Sequence, residues 1–310
     1  MKDIFPVNQT QLFGINEYLY QLINLYNSNK LPNKILLSGD KGIGKSTLAY
    51  HLINYVLSIG EKNEYNLDNC KINEENHSFK ITLNKSNPNL KLIDIEEDKK
   101  KIDIDQIRNL IVSLNKSSLN EKPRFVLIDN IEFLNISSIN SLLKVLEEPN
   151  FNVHFILINN NKKILPTLTS RCINFKIYLN NKKCLEIANL LLDGQLDTLL
   201  NKELINYYIS PGNIYNLVKF GKQYKYDLFE LDLKELLQII INKNHFKKDK
   251  FFNFIFLDLI ENFYRLRNSE FSMEIDYKYH DFLKRLSEVK KYNLDNDILF
   301  TDFEENVLNG

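Results

Sequence analysis

Residues 34–46 read Lys34-Ile-Leu-Leu-Ser-Gly-Asp-Lys-Gly-Ile-Gly-Lys-Ser46, a short apolar run followed by a glycine-rich loop. From residue 45 onward apolar side chains recur with helical spacing, which predicts a strand, a loop and a helix in that order. The loop satisfies the pattern G-x-x-x-x-G-K-[ST] in the setting that a phosphate-binding loop requires. Glycines let backbone N–H groups converge on phosphate oxygens, and the helix N-terminus adds a favourable dipole. The stretch therefore predicts a nucleotide-binding α/β domain.

Strand and helix patterns alternate along the chain that follows this loop. Four further apolar runs predict strands, at 90–94, 124–129, 153–158 and 173–177. This alternation favours a five-stranded parallel sheet with helices on both faces. After residue 178 only helical patterns remain, interrupted at Ser210-Pro-Gly212. We predict a nucleotide-binding domain over 1–178, a small helical lid over 179–222 and an all-helical C-terminal domain over 223–310.

Composition excludes several classes of protein. The 310 residues include 40 basic and 40 acidic side chains, so the formal net charge is zero. This balance excludes a strongly basic, histone-like nucleic-acid binder and an acidic tail protein. The three cysteines, Cys70, Cys172 and Cys184, cannot form a four-cysteine zinc site and argue against a secreted disulfide framework. Without an apolar membrane span or signal core, we expect a cytoplasmic protein with no membrane partner and no zinc.

The glycine-loop pattern predicts which residues bind ATP and Mg²⁺. Lys45 is predicted to reach the β and γ phosphates, and the Ser46 hydroxyl to bind Mg²⁺. The candidate nucleotide-binding residues here are Gly39, Asp40, Lys41, Gly42, Ile43, Gly44, Lys45, Ser46 and Thr47. Asp129 ends an apolar strand, where a Walker B acid would help to hold Mg²⁺. The alternative is an aspartate that only caps the end of its strand.

Two sequence blocks downstream carry a family resemblance. Asn140-Ser-Leu-Leu-Lys-Val-Leu-Glu-Glu-Pro149 is followed by Leu165-Pro-Thr-Leu-Thr-Ser-Arg-Cys172. Together they resemble the AAA+ clamp-loader family of bacterial DNA polymerase III, which carries an N-x-L-L-K-x-L-E-E-P helix and an S-R-C motif. The matching motifs cover residues 30–215. The resemblance implies an AAA+ domain, a lid and a helical collar that packs against sister subunits.

The resemblance also implies roles for individual polar residues. Arg171 would be an arginine finger that reaches the ATP of a neighbouring subunit, since a guanidinium is always charged and fits phosphate oxygens. The alternative is an arginine that pairs with a carboxylate of its own domain. Asn159, at the end of the fourth predicted strand, would be a polar sensor near the γ-phosphate, and the alternative is a residue that caps its own backbone.

The departures from the family pattern favour weak or absent ATP hydrolysis by this chain. Asn130 stands where many relatives have a glutamate that activates water, and asparagine cannot accept the proton. Glu132 lies two residues further on, in a direction that the sequence does not define. The lid segment 210–213 lacks the arginine of catalytic subunits, and only Cys70 lies where many relatives bind zinc.

The sequence therefore favours a stator-like subunit that binds nucleotide, presents Arg171 to a motor subunit and helps to load a sliding clamp on primed DNA. The implied partners are the gamma/tau and delta subunits. Two alternatives remain open: an active, gamma/tau-like ATPase, and a scaffold with an empty loop. A small-molecule kinase would fit the loop but would leave the block at 165–172 unexplained.

Overall fold

A computed structural model describes residues 4–96, 99, 101–116, 120–147, 152–205, 209–249, 251–267, 272–292 and 297–309. The chain divides into two compact units, one of residues 1–187 with 210–212, the other of residues 188–209 with 213–310. The finer division into domains at residues 178 and 222 remains a prediction.

The first unit is built on a five-stranded parallel sheet in the order β2-β3-β4-β1-β5. Its strands are β1 (Lys34–Ser38), β2 (Leu90–Ile93), β3 (Arg124–Ile128), β4 (Val153–Asn159) and β5 (Ile173–Lys176). Every predicted strand lies within one residue of these bounds. The parallel α/β fold predicted from the alternation is confirmed. Because the strands are parallel, the carboxyl ends of β1, β3 and β4 lie at one edge, where ligands bind in open α/β sheets.

Helices cover this sheet and bury its central strands. They are α1 (Asn16–Asn27), α2 (Lys45–Ser58), α3 (His77–Leu83), α4 (Ile104–Leu114), α5 (Ile136–Glu147), α6 (Pro166–Thr169) and the start of α7 (Asn181–Leu191). Short 3₁₀ turns lie at Pro6–Asn8 and Ile131–Phe133. All seven residues of β4 are buried, and Phe125 and Phe155 have no exposed surface. This burial explains why these strands read as continuous apolar runs rather than as alternating patterns.

The polar segment 61–86 is largely exposed, but a few of its residues pack against the domain. It contains α3 and buries Tyr65, Cys70 and Phe79. The Asn76 side chain accepts hydrogen bonds from the backbone N–H of Phe79 at 2.7 Å and from the Asn54 amide at 3.1 Å. Single apolar residues and a buried asparagine hold this segment in place, so it has no hydrophobic period that the sequence could reveal.

The second unit is helical, as predicted. It holds the end of α7, then α8 (Leu196–Leu199), most of α9 (Pro211–Tyr224), α10 (Leu233–Asn242), α11 (His245–Lys248), α12 (Phe252–Arg267), α13 (Met273–Tyr292) and α14 (Asp297–Phe303). A 3₁₀ turn at Lys202–Leu204 and a π-helical turn at Glu304–Leu308 complete it. Aromatic rings form much of its core: the Phe220 ring centroid lies 4.7 Å from that of Phe252 and 4.9 Å from that of His245. Such edge-to-face packing contributes about 0.5–1.5 kcal/mol per pair beyond burial.

Candidate nucleotide-binding site

The glycine loop joins β1 to α2 and has a backbone that only glycine adopts easily. Gly42 has φ 85° and Gly44 has φ 95°, both in the left-handed region. Lys45 begins α2, and its side chain is only 3% exposed. Its Nζ donates to the carbonyl oxygens of Gly39 at 2.9 Å and Asp40 at 2.6 Å. The remaining predicted residues of the loop, Lys41, Ile43, Ser46 and Thr47, occupy the same turn and the start of α2.

Two lysine amines in this loop are held in a way that fits an anionic ligand. Burial lowers the pKa of Lys45 to about 8 and that of Lys41 to about 8. The negative charges of Asp129 and Glu132 act in the opposite direction and raise both pKa values. Burial disfavours a charged amine, and phosphate oxygens would offset that cost by direct pairing. The donors and the dipole end of α2 therefore fit the phosphates of a nucleotide.

Ser46 and Asp129 meet at the point where Mg²⁺ is predicted. The Ser46 hydroxyl donates to Asp129 Oδ2 at 2.5 Å. Burial, and next the charge of Asp94, raise the pKa of the Asp129 carboxyl, while hydrogen bonds from Ser46 and from the Asn130 backbone oppose that shift. A hydroxyl and a carboxylate are oxygen ligands of the kind that Mg²⁺ prefers. A cation between them would also stabilise the charged form of the buried acid.

A network of polar side chains surrounds Asn130. The Asn130 amide donates to Asp94 Oδ1 at 2.8 Å, so it is held at the end of β2. Its own Oδ1 accepts a 3.0 Å hydrogen bond from Asn160, whose amide also donates to Glu132 Oε1 at 2.8 Å. The second oxygen of Glu132 is buried and has no hydrogen-bond partner among the described residues. Through Asn160 the network thus links Asn130 to a carboxylate, one oxygen of which accepts from no described residue.

The sequence missed Asp94 and Asn160, although a topological signal pointed to them. Both directly follow parallel strands, β2 and β4, so their side chains lie at the edge where ligands bind. Asn159 is one residue earlier and is used differently. Its side chain donates to the Lys162 carbonyl at 2.9 Å and accepts from the Lys162 N–H at 3.2 Å. It caps its own turn, which is the alternative to the sensor role, and Asn160 instead reaches Asn130.

Arg171 makes two side-chain hydrogen bonds to described residues, and both are directed away from the loop. It lies between α6 and β5, and its guanidinium donates from Nη2 to Glu147 Oε1 at 2.5 Å and from Nη1 to the Thr167 carbonyl at 2.9 Å. Its side chain remains 32% exposed. Within the described part of the chain, Arg171 makes no hydrogen bond or ion pair with the glycine loop. The structure therefore does not bring Arg171 together with the other predicted site residues.

The start of α9 packs directly on the glycine loop. The helix begins at Pro211, a position where proline costs no hydrogen bond. The Gly212 N–H donates to the Gly42 carbonyl at 3.0 Å. A Cβ added to Gly212 would lie 2.9 Å from that carbonyl oxygen and 3.0 Å from the Gly42 Cα. Only a glycine at 212 permits this approach without a shift of the backbone.

Across the described ranges, no three His, Cys, Asp or Glu side chains are grouped so that they could hold a metal ion. The helices in the described part of the chain include none that is both long and apolar enough to span a membrane.

The parallel sheet, the glycine loop after β1 and the acid after β3 define a P-loop α/β fold. The family described as "DNA polymerase III, delta subunit" matches residues 15–181, more than half of the chain. The chain belongs to this family of clamp-loader proteins, and the resemblance carried by residues 140–149 and 165–172 is confirmed.

Curated relatives indicate which members of this family the chain is similar to. One is DNA polymerase III subunit delta' of Buchnera aphidicola subsp. Baizongia pistaciae (strain Bp), 32% identical over 164 residues that cover 51% of this chain and 47% of the relative. Another is subunit delta' of Buchnera aphidicola subsp. Schizaphis graminum (strain Sg), 26% identical over 257 residues, 78% of this chain and 74% of the relative. Subunit tau of Salmonella typhimurium (strain LT2) is 27% identical over 204 residues, 64% of this chain and 29% of the relative. The chain spans about half the length of the first relative and about three quarters of the second. Within the family it is delta-prime-like.

Proposed function

We propose that this chain is a stator-like subunit of the DNA polymerase III clamp loader. It binds ATP through residues 39–47, supplies Arg171 in trans to a neighbouring motor subunit and so supports loading of the sliding clamp on primed DNA. Its partners are the gamma/tau and delta subunits, and it acts in the cytoplasm. The single observation that carries the stator assignment is Asn130, an amide that follows β3 and is tied to Asp94 beside the glycine loop.

Different residues of the site bind the phosphates and the Mg²⁺ ion of the nucleotide. Lys45 and the backbone N–H groups of Gly42 and Gly44 bind phosphate oxygens, and Ser46 and Asp129 hold Mg²⁺. The bound Mg²⁺ would neutralise part of the phosphate charge. Asn130 donates or accepts a hydrogen bond but takes no proton, so bound ATP persists. This chain then contributes to hydrolysis through its arginine, not through its own loop.

Nucleotide binding is tested by calorimetric titration of the full chain with ATP and Mg²⁺. Lys45→Ala removes a charged hydrogen-bond donor, and such bonds contribute about 1.5–3 kcal/mol. We expect affinity to fall about 10- to 100-fold. Lys80→Ala, which removes a lysine from an exposed ion pair with Glu75, is the matched control and should bind as the unchanged chain does. Absence of binding at millimolar ATP by the unchanged chain would exclude an occupied loop and favour the scaffold.

The finger is tested in a complex reconstituted with the gamma/tau and delta subunits of the same organism. Arginine fingers contribute about 10³- to 10⁵-fold in rate, so Arg171→Ala should abolish turnover at the adjacent ATP and much of the clamp loading. The isolated variant should still fold and bind ATP. Unchanged ATPase of the complex would contradict the trans role.

One observation favours a second candidate, an active gamma/tau-like ATPase. The buried Oε2 of Glu132 is a carboxylate oxygen without a hydrogen-bond partner among the described residues, in a site that lacks a base at 130. If the isolated chain hydrolyses ATP at about 1 s⁻¹ or faster, a typical enzymatic turnover, and Glu132→Gln abolishes that activity, this candidate replaces the stator.

A further inference from the structure

The side chain of Glu147 meets Arg171 at the surface of the AAA+ domain. Glu147 is the last residue of α5, and its Oε1 accepts from Arg171 Nη2 at 2.5 Å. The carboxylate side chain is 54% exposed and the arginine side chain 32% exposed. An exposed pair of this kind adds only about 0–1 kcal/mol to folding. Stability therefore does not account for the arrangement.

The main chain around Arg171 is held by contacts that do not involve Glu147. Leu168, three residues earlier, is 1% exposed, and Cys172 packs against the same buried cluster of the sheet and helices. The Arg171 N–H donates to the Leu168 carbonyl at 3.3 Å. With the backbone held, the long side chain is the remaining source of freedom, and an arginine side chain carries about 2 kcal/mol of rotamer entropy.

Two contacts to described residues restrict that side chain. Nη2 donates to Glu147 and Nη1 to the Thr167 carbonyl, which together use two of the five N–H groups of a guanidinium. The other three N–H groups donate to none of the described residues. A guanidinium fixed on one side by a carboxylate and a carbonyl can still donate from its free side to phosphate oxygens.

We propose that Glu147 is a positioning residue for Arg171: it holds the guanidinium in an orientation that a neighbouring subunit's triphosphate can use. This inference rests on the proposed trans role of Arg171. It assigns Glu147 no contact with the nucleotide and no part in the binding of ATP by this chain. Preorganisation of this kind raises the rate because a small displacement of a reacting group is costly in the transition state.

The test uses the complex reconstituted with gamma/tau and delta subunits and measures kcat and KM for ATP. Glu147→Ala frees the guanidinium, and we expect kcat to fall about tenfold with KM within about twofold of its original value. Glu147→Asp, which keeps the charge, should recover part of the loss. Glu75→Ala breaks another exposed 2.5 Å ion pair, with Lys80, and is the matched control that should change neither constant.

A double variant separates this inference from the proposed function. If Glu147 acts through Arg171, Glu147→Ala should have no further effect once Arg171→Ala is present. Loss with Arg171→Ala but none with Glu147→Ala overturns the positioning role and leaves the finger standing. A rise in kcat with Glu147→Ala also overturns it, because the carboxylate would then restrain the arginine. No loss with Arg171→Ala refutes the finger itself.

Discussion

The hydroxyl of Ser46 donates a 2.5 Å hydrogen bond to Oδ2 of Asp129, which joins the first turn of α2 to the end of β3. The contact brings together two residues that are 83 positions apart in sequence. The sequence predicts the two residues separately, Ser46 from the loop pattern and Asp129 from the end of an apolar strand. The predicted Mg²⁺ position therefore lies where the first turn of α2 meets the end of β3.

Asp129→Asn should separate stability from cation binding. The raised pKa of Asp129 means that the folded chain holds the proton more tightly than the unfolded chain, so stability falls as pH rises through the folded pKa. A neutral amide avoids that loss and can still accept from Ser46. We therefore expect a higher melting temperature at pH 7 without nucleotide, and at least about a tenfold loss of ATP affinity in Mg²⁺.

Melting curves and titrations with Mg²⁺ or EDTA check this prediction. In EDTA the affinity of Asp129→Asn should stay within about twofold, since the carboxylate acts through the cation. Asp105→Asn, which neutralises an exposed acid on α4, is the matched control. An unchanged response to Mg²⁺ in Asp129→Asn would exclude Asp129 from the cation site.

Gly212→Ala should disturb the glycine loop from outside. The new Cβ would lie 2.9 Å from the Gly42 carbonyl oxygen, which is backbone and cannot rotate away. Overpacking of this kind costs about 1–3 kcal/mol, and the displaced loop should bind ATP more weakly. Gly60→Ala is the control because its Cβ would meet no atom within 4 Å, although its φ of +80° adds strain. Equal ATP affinity in Gly212→Ala and the unchanged chain would show that the loop does not depend on this contact.

His51 should make the stability of the chain depend on pH. It is fully buried on α2, and burial lowers its pKa to about 4. Its Nε2 lies 3.1 Å from the Gln9 carbonyl, which can only accept, so Nε2 carries the proton and Nδ1 accepts from the Tyr65 hydroxyl at 2.7 Å. The neutral ring is therefore the form that the fold requires.

Below the ordinary pKa of histidine, about 6.5, His51 binds a proton in the unfolded chain but not in the folded chain. Stability should therefore fall by up to about 1.4 kcal/mol per pH unit between pH 6.5 and pH 4 from this group. Urea unfolding at pH 7.5, 6 and 5 measures the slope, and His51→Asn should lessen it. His77→Asn, at an exposed position on α3, should leave it unchanged. A slope that His51→Asn does not alter would mean that other groups carry it.

The sheet could be predicted closely because its physical cause is local. Each central strand is covered on both faces, so its burial is visible as an unbroken apolar run, and the loop pattern fixes which strand comes first. The segment around Tyr65 and Asn76 could not be predicted in the same way. Its position depends on hydrogen bonds such as that between Asn54 and Asn76, which join residues without any periodic pattern.

The candidate site likewise contains some residues that the sequence predicts and others that it does not. Residues 39–47 follow from a contiguous pattern, and Asp129 from a strand end. The partners Asp94, Glu132 and Asn160 come from three separate segments, and their hydrogen bonds depend on side-chain directions in turns. Asn130, for example, adopts φ 54°, which the sequence does not specify. For Arg171 the motif singles out the residue, but only the fold reveals Glu147 and the Thr167 carbonyl beside it.

Asn159 and Asn160, at the end of β4 and directly after it, allow a direct comparison of a cap and a sensor. The Asn160 amide links Asn130 to Glu132, while the Asn159 side chain closes a turn with Lys162. Asn160→Ala should cost about 1–3 kcal/mol, because it leaves Oε1 of Glu132 without this donor. It should also change the ratio of ADP to ATP dissociation constants, since Asn160 belongs to the network beside the predicted γ-phosphate position.

Asn159→Ala should lower stability by about 1 kcal/mol, as the loss of a cap does, and leave that ratio unchanged. Asn306→Ala is the matched control: its amide donates to the Asp302 carbonyl at the surface, so we expect a small effect on both quantities. Thermal unfolding and paired titrations with ADP and ATP measure the two effects for all three variants. If Asn159→Ala changes the ratio and Asn160→Ala does not, the sensor is Asn159, as the family resemblance implies, and the network around Asn130 serves only to hold the turn that follows β3.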